Sequence, residues 1–267
     1  MMIMILNSDG RLVDLVGDRL PSLKTESFSL LDKRSMGATV AKHLNYMVGG
    51  KDPDKLRMVT IWVVGDLDTE RGRAVARAAA GIVKSSSQVG PSFKIKITKK
   101  NIFYNKTTKY IFFSLKIKNQ VRVGFIHNSA SPGLVSRAVQ ASVELMSPVA
   151  SAVFVQKVLK EDTLKKIGEG KKKLEDYEIP GVDMLEFVRD AKEIGEDVFT
   201  AHKMFVKKVL GMEGGEVAVV VNGKVVGPLK EGETIEVDDM DLLEKLTMSR
   251  SVVRYSLESE SSHKKYI

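Results

Sequence analysis

The stretch MVTIWVVGDLD, residues 58–68, decides the fold. It begins with a nearly continuous apolar run rich in β-branched residues, which is typical of a strand buried on both faces of a sheet. Gly65 then marks a turn, and Asp66 and Asp68 precede a segment with helical periodicity. Because acidic and hydroxyl side chains are common where helices begin, the stretch predicts a strand, a tight turn and a helix N-terminus.

A helix and a second buried strand follow. Residues Thr69–Lys84 carry apolar side chains at helical spacing, and we expect Asp68 or Thr69 to cap this helix. Val121–His127 repeats the pattern of a fully buried strand. Two buried strands joined by a helix predict a parallel pair with a right-handed crossover.

The first residues predict a hairpin and a helix. Met2–Leu6 and Arg11–Val16 flank Asp9-Gly10, a dipeptide typical of hairpin turns. Lys33–Val48 has helical periodicity and is followed by Gly49-Gly50, so we expect one helix over this range.

The second half of the chain predicts a helical block and then a hairpin. Residues 131–212 are predominantly helical in pattern. Glu216–Asn222 and Lys224–Gly227 flank Asn222-Gly223, which is the strongest short signal for a hairpin turn.

A last helix is predicted over Asp238–Leu246, capped by Asp238, with Met240, Leu243 and Leu246 facing the core. This order of elements predicts an α/β fold. It is a thioredoxin-like sandwich with a helical insertion between the second core strand and the C-terminal hairpin.

The 267 residues, of which 43% are hydrophobic, are enough for a large core. By pattern they divide into a lead-in segment (1–56), the first part of the core (57–90), a lysine-rich insertion (91–120), a core strand (121–130), the helical insertion (131–212), the core hairpin with the final helix (213–248) and a frayed tail (249–267).

Composition excludes several kinds of chemistry. The chain has no cysteine, so a disulfide, a thiol nucleophile and a zinc–thiolate site are excluded. No apolar run approaches the roughly 18 residues that a membrane-spanning helix needs. The opening MMIMIL is too short for a signal-peptide core, so we expect no signal peptide in this chain.

The net charge of +8 comes from the lysine-rich insertion. Residues 91–120 hold eight lysines and no acidic residue, whereas the remaining 34 basic residues balance the 34 acidic ones. The basicity therefore belongs to one segment, and we expect no nucleic-acid partner. The alternation of Phe93, Ile95 and Ile97 with lysines allows a β-hairpin, but the composition favours a retained intron. The segment also contains a glycosylation sequon at Asn105.

Asp66 and Asp68 are the strongest candidates for chemistry. Two carboxylates after a buried strand can chelate a hard cation, and the same spacing holds a divalent cation and a sugar nucleotide in many glycosyltransferases. The alternative, which we favour, makes Asp66 a turn residue and Asp68 a helix cap. We therefore assign no catalytic, cofactor-binding or metal-binding residue.

The four histidines, His43, His127, His202 and His263, are isolated in sequence. None has a histidine four residues away or a Glu-x-x-His context, so we expect packing or surface roles for them.

Several segments resemble a non-catalytic thioredoxin-like domain of UDP-glucose:glycoprotein glucosyltransferase. They are LLDKRSMGATVAKHLNYM (30–47), WVVGDLDTERGR (62–73), VKSSSQV (83–89), VRVGFIHN (121–128), and AHKMFVKKVLGM with EVAVVVNGKVVGPLKEGETIEVDDMDLLEKL (201–246). Residues 91–120 and 249–267 depart from the pattern.

This resemblance implies a fragment of an endoplasmic-reticulum folding sensor that transfers glucose from UDP-glucose to high-mannose glycans of misfolded glycoproteins. The expected partners are misfolded glycoproteins and other domains of the same polypeptide, in the lumen of the endoplasmic reticulum. UDP-glucose and calcium are implied only for a catalytic domain that we expect to be absent from this chain. The chain alone is then inactive.

Two other functions remain open from the residues. One is an autonomous metal-dependent nucleotide-sugar enzyme that uses Asp66 and Asp68. The other is a basic protein that binds an anionic surface through residues 91–120.

Overall fold

The computed structural model describes residues 4–6, 12–14, 23–49, 57–88, 92–97, 111–116 and 121–249. In chain order its elements are β1 (Met4–Leu6), β2 (Leu12–Asp14), α1 (Thr25–Ser29), α2 (Lys33–His43), β3 (Met47–Val48), β4 (Val59–Gly65), α3 (Glu70–Gln88), β5 (Ser92–Ile97), β6 (Ile111–Lys116), β7 (Val121–His127), α4 (Leu134–Leu145), α5 (Pro148–Val158), α6 (Glu161–Gly168), a 3₁₀ turn (Leu174–Asp176), α7 (Met184–Ala191), α8 (Glu196–Phe205), a π-helical turn (Val206–Leu210), β8 (Ala218–Val221), β9 (Lys224–Val226) and α9 (237–249).

A five-stranded mixed sheet forms the centre, in the order β3-β7-β4-β8-β9. β4 and β7 are parallel, with Val59 opposite Val121 and Gly65 opposite His127. The other neighbours are antiparallel, and β8 joins β9 through the predicted Asn222-Gly223 turn. The predicted α/β architecture is therefore confirmed, with a parallel strand–helix–strand unit followed by a hairpin and a helix.

The alternating residues of β4 explain why its sequence is apolar throughout. Ile61 and Val63 face the larger apolar cluster, which includes residues of α3, α4, α5 and α9. Trp62 and Val64 face a second cluster with residues of α1, α2 and α8. The sheet is thus covered on both faces, as the continuous apolar run predicted.

Helix α3 follows the predicted pattern and is longer than expected, since it continues to Gln88. Its predicted stripe is buried at every position, from Val75 to Val83. The hydroxyl of Thr69 accepts a hydrogen bond from the N–H of Gly72 at 3.1 Å, so Thr69 caps this helix.

The single helix predicted over Lys33–Val48 is wrong in its last turn. Helix α2 ends at His43, Leu44 has an extended backbone (ψ 121°), and Met47–Val48 pairs with β7 as an edge strand. The side chain of Leu44 lies against Gly124, where an added Cβ would come within 2.8 Å of its Cδ2. Packing on the sheet therefore overrides the local helical periodicity.

Helices α4 to α8 lie in the chain between β7 and β8, within the range 131–212. A π-helical turn, Val206–Leu210, follows α8 directly. Gly211 then ends it with a positive φ of 70°.

The last helix differs from the prediction in the face that it buries. Met240 is completely buried as expected, but Leu246 is 47% exposed, so the prediction that Leu246 faces the core is wrong. The buried stripe instead continues from Met240 through Glu244 to Met248 at four-residue spacing. Glu244 thus occupies a core-facing position of this helix, where an apolar side chain is usual.

Two further strand pairs are antiparallel. β1 pairs with β2, with Ile5 opposite Val13, where a hairpin was predicted. β5 pairs with β6 in the lysine-rich segment, with Ile97 opposite Ile111. Asn105, residues 98–110 as a whole and the tail 250–267 lie outside the described residues, and the retained-intron interpretation stays a prediction.

Asn222 connects the hairpin turn to the start of β4. Its φ is positive (46°), as the first position of such a turn requires. Its side-chain oxygen accepts a hydrogen bond from the N–H of Thr60 at 2.7 Å, and its side-chain N–H donates to the carbonyl of Met58 at 2.9 Å. The amide therefore extends the backbone pairing of β4 by one residue.

We expect Asn222→Gly to lower the free energy of unfolding by about 1–2 kcal/mol, because it keeps the positive φ and loses two hydrogen bonds. Asn222→Ala should lose roughly 1 kcal/mol more, because alanine disfavours that backbone conformation. Urea denaturation of the three proteins measures the difference. Equal stability of the glycine and alanine variants would contradict the backbone contribution.

Candidate functional site

Asp66 and Asp68 lie in the turn where β4 ends, at the carboxyl end of the parallel strands. The Oδ1 of Asp66 accepts a hydrogen bond from the N–H of Asp68 at 2.9 Å. Its backbone carbonyl accepts the hydroxyl of Thr69 at 2.7 Å. Asp66 therefore closes the turn in the way that short acidic side chains commonly do.

The carboxylate of Asp68 caps a helix, but not the helix that follows it in sequence. It accepts hydrogen bonds from the N–H groups of Gly133 (2.7 Å), Val135 (2.9 Å) and Ser136 (3.4 Å), at the N-terminus of α4. A negative charge at this position also complements the dipole of α4. Of the two residues predicted to cap α3, Thr69 does so, whereas Asp68 caps α4 across 65 residues of sequence.

The hydrogen bonds of this turn engage three of the four carboxylate oxygens of Asp66 and Asp68. Both oxygens of Asp68 accept N–H groups at the start of α4, and Oδ1 of Asp66 accepts the N–H of Asp68. Within the described ranges, no group of three or more histidine, aspartate or glutamate side chains is arranged to hold a metal ion. A hard cation bound at this turn would compete with these N–H groups for the carboxylate oxygens.

The structure brings together two histidines that are 75 residues apart in sequence. His127 ends β7 and His202 lies in α8, and both are at least 98% buried. Their rings are stacked with centroids 5.8 Å apart, and the N–H of His127 reaches Nδ1 of His202 at 3.4 Å. Sequence spacing contains no signal for this pair, whereas His43 is exposed and His263 lies outside the described residues.

Hydrogen bonds through the side-chain amide of Gln140 link His127 to the exposed Glu144. The Nε2 of His127 lies 3.0 Å from Oε1 of Gln140, and Nε2 of Gln140 donates to Glu144 at 2.5 Å. Because the amide oxygen can only accept, His127 carries its proton on Nε2. Its Nδ1 is then a buried lone pair that has no hydrogen-bond partner among the described residues.

Burial keeps both rings neutral. It lowers the pKa of His127 to about 4, although the hydrogen bond to Gln140 and the nearby charges of Asp68 and Asp66 oppose this shift. Burial, together with His127, lowers the pKa of His202 to about 3. These values lie far below neutral pH, so the pair is poorly matched to general acid–base catalysis there.

Asn128 fixes the loop that faces this turn. Its side-chain N–H groups donate to the carbonyls of Glu213 (2.7 Å) and Glu216 (2.9 Å), and its backbone N–H donates to Gly65 at 3.0 Å. The loop before β8 contains Gly214-Gly215. Within the described residues, the peptide bond between Gly227 and Pro228, after β9, is cis.

The chain belongs to the thioredoxin-like domain family. The family model described as a thioredoxin-like domain matches residues 27–90 and 111–254, and it leaves out residues 91–110 of the lysine-rich segment.

Among characterised proteins, the chain is similar to UDP-glucose:glycoprotein glucosyltransferase 1 of Rattus norvegicus, with 28% identity over 231 residues, and to the human glucosyltransferase 2, with 28% over 225 residues. Each alignment covers 84% of this chain and 13% of the relative, so the chain spans about an eighth of the length of the curated relatives it matches. The predicted similarity to this glucosyltransferase is confirmed.

Two solved structures are among those that match the chain. One is the Trx3 domain of UGGT in a detergent-unbound form, with 15% identity, a TM-score of 0.36, and coverage of 76% of this chain and 93% of the other. The second is ScsC of Proteus mirabilis in a transitional conformation, with 12% identity, a TM-score of 0.43 and coverage of 85% of both chains.

In the part of the chain that the structure describes, no helix is both long and apolar enough to cross a membrane.

We expect Asp68→Ala to lower the free energy of unfolding by about 2–3 kcal/mol, because it leaves several N–H groups of α4 without an acceptor and removes a charge-assisted cap. Asp183→Ala is the matched control, since Asp183 caps the short helix α7 at an exposed end and should cost about 1 kcal/mol. Urea denaturation measures both. A smaller loss for Asp68→Ala than for Asp183→Ala would contradict the assigned role.

The buried histidines should make the protein acid-sensitive. Their folded pKa values lie below the ordinary 6.5, so the stability they give is complete above about pH 6.5 and is lost as the pH falls toward 4 and 3. We expect up to about 1.4 kcal/mol per pH unit for each histidine. Denaturation between pH 7 and 4 should show a shallower loss for His202→Gln and an unchanged loss for the exposed control His43→Gln. An unchanged slope in His202→Gln would refute this assignment.

Proposed function

We propose that this chain is a non-catalytic thioredoxin-like module of a glycoprotein folding sensor of the endoplasmic reticulum. In the full-length enzyme, the sensor transfers glucose from UDP-glucose to high-mannose N-glycans of misfolded glycoproteins. The observation that carries the proposal is the similarity to two UDP-glucose:glycoprotein glucosyltransferases over 84% of this chain.

The small share of the relatives that aligns supports a module rather than a whole enzyme. Only 13% of each relative's length corresponds to this chain. In this proposal, UDP-glucose and calcium bind to a catalytic domain elsewhere in the full-length protein. Misfolded glycoproteins and the other domains of the same polypeptide are the partners of the module, and the lumen of the endoplasmic reticulum is its location.

The chemistry of the β4 turn supports a non-catalytic role. The chain has no cysteine, so the thiol–disulfide exchange of redox thioredoxins is excluded. The oxygens of Asp68 accept backbone N–H groups of α4, and a metal ion would have to displace these hydrogen bonds. This geometry weighs against the autonomous metal-dependent nucleotide-sugar enzyme that uses Asp66 and Asp68.

Binding of an anionic surface through residues 91–120 is the remaining alternative. The eight lysines of the segment account for the net charge of the chain. Such binding would weaken steeply with salt and would disappear when the segment is deleted. Binding of misfolded glycoproteins should survive the deletion.

A single preparation tests the proposal in two assays. The purified chain is incubated with labelled UDP-glucose, calcium and a high-mannose glycoprotein that has been reduced and alkylated. We expect neither glucose transfer nor UDP-glucose hydrolysis. In a binding assay, we expect the chain to retain the denatured glycoprotein at least several-fold more tightly than the native form of the same glycoprotein.

Asp66→Asn serves as the control for activity. Turnover by the chain that Asp66→Asn abolishes would overturn the non-catalytic role. Equal binding of the native and the denatured glycoprotein would overturn the role in client recognition, with or without turnover.

A further inference from the structure

Helix α9 buries a carboxylic acid in the middle of its core-facing stripe. Met240 and Met248 are completely buried, and Glu244, one helical turn from each, is only 2% exposed. By contrast, Leu242 and Leu246 on the same helix are 55% and 47% exposed. At these three positions the acid faces the core and the two leucines face solvent, which is the opposite of the usual amphipathic pattern.

No described group compensates the charge of this acid. Oε1 of Glu244 is buried and has no hydrogen-bond partner among the described residues. The charged groups that act on it are Asp241 and Lys245 of its own helix, and Lys245 is already paired with Asp241. A carboxylate oxygen that is buried without a cation or a hydrogen-bond donor makes ionisation costly, whereas the neutral acid is tolerated.

Among the described residues, the elements beside α9 supply no counter-charge to Glu244. Val237 of α9 lies against Gly81 of α3. The charged residues that flank Gly81 on α3 are Arg77, which pairs with Glu70, and the exposed Lys84. Neither of these cations contributes to the pKa of Glu244. Strand β8, which belongs to the same apolar cluster, has the uncharged sequence AVVV.

We propose that α9 is a pH-sensitive element of the fold, docked on the core while Glu244 is protonated and loosened when this carboxyl ionises. Loosening removes the Met240–Met248 stripe from the large apolar cluster, in which both methionines take part. The device is independent of the function proposed above.

The direction of the pH dependence follows from the shifted acid. Burial, followed by the charge of Asp241, raises the pKa of Glu244 from an ordinary 4.5 to about 7. The docking energy is therefore complete below about pH 4.5 and is lost as the pH rises through 7. Between pH 6 and pH 8 the equilibrium constant for local opening should rise roughly tenfold.

Native-state hydrogen exchange on the full chain measures this change in peptides from residues 237–249. After correction for the intrinsic exchange rate, we expect about tenfold lower protection at pH 8 than at pH 6 in the natural protein. Glu244→Gln removes the titration and should give equal protection at both pH values. Glu244→Met extends the methionine stripe and should give higher, pH-independent protection.

Glu236→Gln is the matched control, because Glu236 is an exposed glutamate just before the same helix. It should keep the pH dependence of the natural protein. Protection that is equal at pH 6 and pH 8 in the natural protein would overturn the proposal. A pH dependence that persists in both Glu244 variants would overturn it as well.

Discussion

The carboxylate of Asp68 holds the helical block of this protein in place on its sheet. It lies directly after β4, and its hydrogen bonds to the N–H groups of Gly133 and Val135 fix the first turn of α4 across the end of the sheet. An added Cβ on Gly133 would come within 2.6 Å of Oδ1 of Asp68, so the close approach requires glycine. Helix α4 in turn packs against α5 and α7, and α5 also packs against α3 and β3.

The end of the sheet is therefore a polar layer between two apolar clusters. Asn128 binds the loop before β8 through two carbonyls, and the N–H of His127 reaches His202 in α8. Asn128 and His127 each form hydrogen bonds to residues more than 70 positions away in sequence. Burial keeps the rings of His127 and His202 neutral. Apolar packing alone is non-directional, so these hydrogen bonds supply the orientation that the two clusters do not.

The sequence predicted the elements whose signals are local. The bounds of β7 follow from the β-branched and apolar residues of Val121–His127, and the β8–β9 turn follows from Asn222-Gly223. Strand and turn conformation both depend on residues that are close in sequence. The end of α2 and the helix capped by Asp68 were not predictable in this way. Both depend on partners far along the chain, at Gly124 and Gly133, which no local pattern records.

The difference between local and distant signals also explains the outcome for Asp66 and Asp68, the strongest candidates for chemistry in the sequence. In the structure both carboxylates accept backbone hydrogen bonds. Both oxygens of Asp68 accept backbone N–H groups of α4, and Oδ1 of Asp66 accepts the N–H of Asp68 within the turn. In sequence, two carboxylates that bind a cation after a buried strand look the same as two that accept backbone hydrogen bonds. In this structure the N-terminus of α4 packs against the turn, and its N–H groups donate to the oxygens of Asp68.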